Sequence, residues 1–434
     1  MHHPPTTTQK LFGWLFAIDG WLIAGAILAL VMANNVLQSG MLPWMNYENY
    51  YAFVHAVVIA DTHFHVFGLD LHFGELHHGH WVITTHWLIN DVGMAFFFLI
   101  VGKEVFESLL PGGALHGRKI FAPFFGMVGG MGLPIIVYIA IITWTGNFVE
   151  YAGGWAVPTA TDIAFSALIG RRIFGANHPA FKFLLAVAVL DDIGGVLLIA
   201  IFFGEGSLSQ YAWLFLSLAA VGVALICTYV LRVKNGAWFY FLLMIISWVG
   251  FVQSGVHPAL GFMPVAFAMP WPRSHGVESG DALFEEDENR RDPLSVMEHE
   301  LQGMVKIILG FFSFVNAGVV IGEIGVGTWA VLGGLILGKT LGIPLVTYIG
   351  MRLLPNQVKL DEKISFWMLF LIGGIAAIGF TVALFVAGLS YEAGLVQDAL
   401  KLGALMSLGV FVFFLLLSFV PGIKQRELQA EPAE

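Results

Sequence analysis

The sequence has 434 residues, of which only 50 are Asp, Glu, Lys or Arg, and its mean hydropathy is +0.80. A soluble domain carries about 25% charged residues, so this composition argues against a soluble enzyme, a nucleic-acid-binding protein and a disordered scaffold. We therefore interpret the chain as an integral membrane protein. At roughly 20 apolar residues per span, its length allows about twelve transmembrane helices.

Apolar segments in chain order predict these twelve helices individually. They cover residues 11–33, 84–108, 120–143, 155–173, 180–203, 210–231, 236–253, 256–270, 301–320, 328–351, 364–387 and 397–420. The first segment is too long for the core of a cleaved signal peptide, so we predict that it is a helix. The expected fold class is therefore all-α.

The basic residues predict the orientation of these helices. Sixteen of the 20 Lys and Arg residues lie at one set of alternate connections or at the termini, and the opposite connections contain none. Because Lys and Arg accumulate in cytoplasmic loops, we expect both termini to be cytoplasmic. Lys103, Lys306 and Lys401 lie in spans but near their ends, where the amines could reach the interface, whereas Lys339 lies mid-span.

Two connections are unusual. The outer loop 34–83 contains seven histidines, and its segment HFHVFGLDLHFGEL predicts a β-hairpin on the membrane surface. Imidazoles bind zinc or copper, so a metal site is one interpretation, and solvated histidines or a dimer contact is the other. The cytoplasmic loop 271–300 contains nine acidic residues and three arginines. These histidines are His55, His63, His65, His72, His77, His78 and His80.

Four ionisable residues fall deep within predicted spans, namely Asp162, Asp191, Asp192 and Lys339. Together they would cost roughly 12 kcal/mol to insert without partners. Such residues commonly mark an ion path, although a purely structural ion-pair cluster is the alternative. Adjacent helical residues point about 100° apart, so Asp191 and Asp192 can face one cavity. Two close carboxylates resist ionising together and offer hard oxygen ligands to a small cation, so protons and cations would compete there.

Two predicted spans contain residues that interrupt helices. Pro158 precedes Thr159, Thr161 and Asp162 in span 4, and the glycine-rich segment LIGGIAAIGFTVALF lies in span 11. Each is the middle of a three-span group, spans 3–5 and spans 10–12. Interrupted spans at corresponding positions in two halves are typical of inverted-repeat transporters, with the site at the membrane midplane.

The chain resembles the bacterial NhaA sodium/proton antiporter family along nearly its whole length. The resemblance is carried by PTATDIAF (158–165), AVLDDIGG (188–195), SGVH (254–257), FVNAGV (314–319), GLILGKTLGI (334–343) and AIGFTVALF (377–385). Residues 18–34 and 86–105 resemble the first and second helices of the family. It implies an antiporter fold in which the discontinuous spans 4 and 11 cross at the midplane. It also implies a multi-pass protein of the bacterial inner membrane.

The resemblance implies a role for each matching residue. Asp192 would be the main sodium ligand and Asp191 its partner carboxylate, with Lys339 paired to Asp191 and releasing a proton when sodium binds. Asp162 would be the charge at the helix crossing, with Thr161 nearby. The residues expected to line a cytoplasmic funnel or to take part in pH regulation are Asp91, Glu104, Glu298 and His299.

The chain departs from the family pattern near these last residues. Gln302 stands where some members carry a second histidine, and Ser108 stands where an acidic residue is expected one turn after Glu104. Lys103 occupies a position that is usually apolar, and the loop before Glu298 is longer and acidic. These departures leave the pH of activation open.

The resemblance implies one antiporter domain over residues 1–434. Its core repeat would comprise 120–203 and 328–420, and its panel spans would lie within 11–108 and 210–320. We expect an exchanger, not an enzyme, that moves Na⁺ or Li⁺ out for H⁺ without a cofactor. Two carboxylates would allow two protons per sodium and hence electrogenic transport, and the loop 34–83 could join a homodimer. The alternatives are a sodium-coupled transporter of an organic anion, which an acidic site disfavours, and a haem protein, which would need paired histidines deep in the spans.

Overall fold

The computed structural model describes residues 20–36, 42–66, 69–110, 115–204, 206–207, 209–233, 236–270, 293–354, 360–361 and 363–417. The predicted start of helix 1, both termini and most of the predicted acidic loop, residues 271–292, lie outside the described residues.

The described residues are mainly helical. The α-helices are α1 Gly20–Ala33, α2 Tyr47–Val54, α3 Thr85–Trp87, α4 Met94–Leu109, α5 Phe121–Trp144, α6 Phe148–Tyr151, α7 Ile163–Phe174, α8 Pro179–Phe202, α9 Leu214–Leu225, α10 Ala237–Ser254, α11 Met263–Ala266, α12 Pro293–Asn316, α13 Val326–Gly333, α14 Thr340–Leu353, α15 Phe366–Ala376, α16 Thr381–Ser390, α17 Leu395–Met406 and α18 Leu408–Leu417. Shorter 3₁₀ turns cover Gly117–Ile120, Ala152–Thr159, Gln210–Trp213, Pro258–Leu260 and Ile321–Glu323, and π-helical turns cover Leu88–Gly93, Ile226–Val230 and Gly334–Lys339.

Five short strands lie between α2 and α3. They are β1 Val57–Ile59, β2 His63–Val66, β3 Leu69–His72, β4 Glu75–His77 and β5 His80–Thr84. The antiparallel pair β2–β3 places His65 opposite Asp70, which confirms the predicted hairpin. A second sheet, in the order β1-β5-β4, was not predicted; all five strands lie within residues 57–84, and the other described elements are helical.

Contacts divide the described residues into two compact units. The first unit takes its described residues from 20–106, 198–270 and 293–320, and the second takes them from 107–197 and 321–417. Glycines permit the closest helix packing inside each unit. A Cβ atom at Gly25 of α1 would meet the carbonyl of Gly310 of α12 in the first unit, and one at Gly129 of α5 would meet the carbonyl of Gly342 in the second.

The helices fit a membrane protein by length and composition. Six helical segments among the described residues are long and apolar enough to cross a membrane, and α15 with α16 makes a seventh if this pair, bent by 56°, is one span. The total of twelve spans therefore stays a prediction. The six segments are Gly117–Trp144, Pro179–Phe202, Gln210–Val230, Ala237–Ser254, Val326–Leu353 and Leu395–Leu417.

The predicted span 256–270 is wrong as one continuous helix. The structure has a 3₁₀ turn at Pro258–Leu260 and the four-residue helix α11 instead. The physical reason is two prolines, Pro258 and Pro264, at the first turn of each short helix, because proline lacks the backbone donor that an earlier turn would need. Helix α12 also begins at Pro293, eight residues before the predicted start.

Candidate functional site

Two interrupted segments of the second unit contact each other at their breaks. One is the non-helical residues 160–162 between a 3₁₀ turn and α7, and the other is the segment 377–380 between α15 and α16. The backbone N–H of Asp162 donates a hydrogen bond to the carbonyl of Ile378 at 2.7 Å. The breaks lie where Pro158 and the glycine-rich segment predicted interruptions. The crossing of these segments at a membrane midplane stays a prediction.

Asp162 lies where two helices begin. Its side chain caps α7, since Oδ1 accepts from the N–H of Phe165 at 3.4 Å. Its Oδ2 accepts from the hydroxyl of Thr381 at 2.8 Å and from the N–H of Thr381 at 3.2 Å, at the first residue of α16. Helix N-termini carry unpaired N–H groups and partial positive charge, so one buried carboxylate compensates both helix ends.

Lys339 joins the first interrupted segment to α8. Its buried ammonium donates to the carbonyl of Thr159 at 2.6 Å, to the hydroxyl of Thr161 at 2.7 Å and to Oδ2 of Asp191 at 2.9 Å. The Thr161 hydroxyl in turn donates to the same Asp191 oxygen at 2.6 Å. Three oxygens therefore accept hydrogen bonds from a lysine that is 0% exposed. One of them belongs to a carboxylate, whose negative charge compensates the buried ammonium.

Asp191 and Asp192 lie at the centre of α8 and are 1% and 6% exposed. The Oδ1 atoms of both are buried and accept no hydrogen bond from the described residues, although Asp192 is not without interaction partners. Gly130 of α5 lies beside Asp191, and a Cβ atom there would lie 3.7 Å from its Oδ1 and 3.1 Å from Cγ1 of Ile343. A buried carboxylate oxygen that accepts no hydrogen bond is a suitable ligand for a small hard cation.

The geometry allows a cation and protons to exclude one another. With Lys339 charged, the ammonium neutralises Asp191, and Asp192 supplies a further carboxylate one residue away. A second cation bound here would face the Lys339 charge, so its binding favours loss of a proton from the cluster. No group of three or more His, Cys, Asp and Glu in the described part of the chain could hold a metal ion. Further oxygens would have to come from carbonyls, hydroxyls or water.

The other predicted residues belong to the first unit and do not form one group. Asp91 lies in the π-helical turn Leu88–Gly93, its carboxylate 3.7 Å from Nε2 of His257. Glu104 lies in α4 and is half-buried. Thirteen helical residues separate them along the same segment, by about 20 Å, and their place in a cytoplasmic funnel stays a prediction.

Lys103 and Glu298 form an ion pair between α4 and α12. Lys103 is buried, with 8% of its side chain exposed, so the prediction that its amine reaches the interface is wrong. The same prediction is wrong for Lys401, which is buried in α17. The partner carboxylate explains why Lys103 turns inward. His299, the next residue after Glu298, is exposed.

Sequence reasoning missed two serines that support the breaks. Ser407 donates to the carbonyl of Gly379 at 3.2 Å and accepts from the N–H of Gly379 at 3.2 Å. Ser166 lies 3.3 Å from the carbonyl of Ile375. Both satisfy backbone groups that an unbroken helix would pair internally. The available signal was weak: Ser407 is the one polar residue in the run LGALMSLGVF.

The comparisons with known proteins agree along the whole chain. Residues 18–416 match the family model described as Na+/H+ antiporter 1. The chain belongs to this family. Its members are membrane transporters, so the chain is a transporter and not an enzyme.

Named relatives cover almost the full length. The Na(+)/H(+) antiporter NhaA of Jannaschia sp. (strain CCS1) is 40% identical over 433 residues, covering 94% of this chain and 97% of its own. Na(+)/H(+) antiporter NhaA 1 of Pelobacter propionicus is 37% identical, with 93% and 96% covered. The NhaA antiporter of Desulfitobacterium hafniense (strain DSM 10664 / DCB-2) is 36% identical, with 97% and 98% covered. These relatives confirm the resemblance found in the sequence motifs.

Proposed function

We propose that the chain exchanges cytoplasmic Na⁺ or Li⁺ for external H⁺ at Asp191 and Asp192. The observation that carries this proposal is the buried lysine–carboxylate pair, Lys339 Nζ to Asp191 Oδ2 at 2.9 Å, directly beside a second buried carboxylate. The names of the relatives and the family support the same ions. The interrupted backbone around Asp162 and Thr161 supplies fixed partial charges, which stabilise the charged cluster when no transported ion is bound.

In this proposal, cytoplasmic sodium displaces protons from Asp191, Asp192 or the Lys339 pair. The predicted core, spans 3–5 and 10–12 with spans 4 and 11 crossing at the midplane, then moves against the remaining spans and releases sodium outside. Protons bind from outside and return the site to its first state. Because the same oxygens bind either sodium or protons, the two ions are not transported in the same direction in one step.

Two ionisable carboxylates support a stoichiometry of two protons per sodium. One net positive charge then moves inward per cycle, and an inside-negative potential favours it by about 2.3 kcal/mol per 100 mV. Asp91, Glu104, Glu298 and His299 remain proposed contributors to pH regulation. The ion pair with Lys103 supports a structural role for Glu298 in this chain.

We also propose that the protein lies in the bacterial inner membrane with both termini in the cytoplasm. The distribution of the basic residues supports this orientation. A homodimer through the loop 34–83 is supported by strand β1 at the edge of its sheet. Its three residues, Val57, Val58 and Ile59, are apolar and each about half exposed. Exposed apolar strand edges favour pairing with another strand.

The direct test is transport in everted vesicles that hold an imposed pH gradient. Adding Na⁺ or Li⁺ between about pH 6 and pH 9 should dissipate the gradient, and the rate should change when the membrane potential is clamped. Asp192→Asn should reduce dissipation to the background of empty vesicles. The matched control is Asp361→Asn, which removes an exposed carboxylate outside the site. A gradient that neither cation dissipates contradicts antiport, and full activity of Asp192→Asn contradicts the site.

A further inference from the structure

Glu75 of the outer loop accepts hydrogen bonds from three side chains of the first unit. Its carboxylate accepts from Thr84 Oγ1 at 3.2 Å, from His77 Nε2 at 3.2 Å and from His86 Nδ1 at 3.4 Å. Burial by itself would raise the pKa of Glu75, but hydrogen bonds from His86, His77 and Thr84, together with the charge of a protonated His86, lower it to about 2. Glu75 is therefore ionised at neutral pH and holds the proton of His86 on Nδ1.

A line of hydrogen bonds continues from His86 into the helices. The Asn90 amide nitrogen is 2.9 Å from Nε2 of His86, so it donates to the nitrogen of a neutral ring that carries no proton. The Asn90 amide oxygen accepts from Nδ2 of Asn316 at 2.8 Å. Asn316 is the last residue of α12, and its Nδ2 also donates to the carbonyl of Phe312 at 3.0 Å. Both asparagines are buried.

The hydrogen bond from Asn90 fits only the neutral form of His86, whereas Glu75 accepts from Nδ1 of either form. A second proton, taken from solution onto Nε2, converts that nitrogen from an acceptor to a donor. Two donors, His86 Nε2 and Asn90 Nδ2, would then face each other. The Asn90 amide has to turn, and its nitrogen then faces the Asn316 nitrogen. Asn316 can follow only by withdrawing its donor from the Phe312 carbonyl.

We propose that His86 is a proton-binding site whose occupancy is transmitted through Asn90 and Asn316 to the end of α12. The ligand is the proton itself. The proposal does not depend on transport at Asp191 and Asp192, because these contacts lie within the first unit and can be read out without ion flux. With the predicted topology, the compartment sensed is the outside.

Other titratable groups lie near His86 and contribute to its surroundings. The ring of His55, the residue after α2, lies 6.4 Å from that of His86. His77 shares Glu75 with it, Asp91 follows Asn90 in the same π-helical turn, and His257 lies beside Asp91. Variants must therefore change His86 or Asn90 alone and leave these neighbours in place.

Hydrogen exchange followed by mass spectrometry on the full-length protein in detergent tests the proposal. The segments to follow are 86–93 and 312–320, between about pH 8 and pH 5.5, after correction for the intrinsic pH dependence of exchange. Acidification should speed exchange in both segments by about fivefold, the factor that corresponds to one ordinary hydrogen bond.

Two substitutions at His86 imitate its neutral and its protonated form. Gln both donates and accepts, as the neutral ring does, so His86→Gln should exchange slowly at both pH values. Lys only donates, so His86→Lys should exchange fast at both. The matched control is His80→Gln, which changes an exposed histidine 3.1 Å from Asp61 and should keep the wild-type response.

A third variant keeps the proposal testable if changes at His86 impair folding. Asn90→Asp accepts from a protonated His86 and from Asn316 but cannot donate to a neutral ring. Its pH response should therefore reverse, with slower exchange at about pH 5.5 than at pH 8. Melting and gel-filtration profiles confirm folding of each variant. A wild-type response retained in His86→Gln, or an unreversed response in Asn90→Asp, overturns the proposal.

Discussion

The two units use buried polar groups in different ways. In the second unit, Asp162, Asp191 and Lys339 surround two places where helices are interrupted, and backbone groups face the charges directly. In the first unit, Lys103 of α4 pairs with Glu298 of α12, and both helices continue past this pair. A charge bound by a broken backbone can exchange partners, whereas a pair between continuous helices fixes the packing. Buried charge alone therefore does not distinguish the proposed transport site from a structural ion pair.

The largest expected effect is in the second unit. Asp191→Asn leaves the buried ammonium of Lys339 without its carboxylate, so the free energy of unfolding should fall by about 3–5 kcal/mol. Adding Lys339→Met should restore most of this loss, because neither charge is then buried alone. Thermal melting of the purified proteins checks both variants. Transport should be absent from both, and transport by the double variant would contradict the site.

Corresponding substitutions in the first unit should change the stability of the protein without abolishing transport. Lys103→Met should lower the free energy of unfolding by about 2–3 kcal/mol, less than for a fully buried pair since part of Glu298 is exposed. Lys103→Met with Glu298→Gln should recover stability. Vesicle assays of the folded fraction should show continued exchange. If Lys103→Met abolished exchange while melting normally, the contrast between the units would fail.

A smaller effect should follow from removing the charge shared by two helix ends. Asp162→Asn should cost about 1–2 kcal/mol, because α7 loses a charged cap and α16 loses its compensating carboxylate. The control is Ser365→Ala, which removes the exposed cap of α15, where Ser365 Oγ accepts from the N–H of Met368. Melting should show similar losses, but only Asp162→Asn should slow transport. Equal transport by both would assign Asp162 to structure alone.

The smallest effect concerns the sheet of the outer loop and its pH dependence. The folded pKa of Glu75 is depressed to about 2 from an ordinary 4.5. Its stabilising contribution is therefore complete above about pH 4.5 and is lost as pH falls towards 2. After a discount for the exposed third of the side chain, Glu75→Gln should cost about 1 kcal/mol at neutral pH. Hydrogen exchange of residues 75–84 measures it, and a loss that grows on acidification contradicts the sign.

Much of the site could be predicted because charge is so scarce in this sequence. Asp191, Asp192 and Lys339 stood out in apolar runs, and Pro158 and Gly379 indicated where helices break. The direction of Lys103 could not be predicted, because its partner Glu298 is almost 200 residues away and only tertiary packing brings them together. The hairpin β2–β3 followed from alternation, but the pairing of β1 with β5 depends on strands separated by more than 20 residues.

The central claim is that sodium and protons compete for the carboxylates of α8. Calorimetric titration of the purified protein with Na⁺ at several pH values tests it most directly. Competition predicts that the apparent affinity weakens by about tenfold or more for each unit of falling pH, with protons released on binding, and that Asp192→Asn loses the binding heat. A sodium affinity that is independent of pH, or one that Asp192→Asn retains, would contradict it.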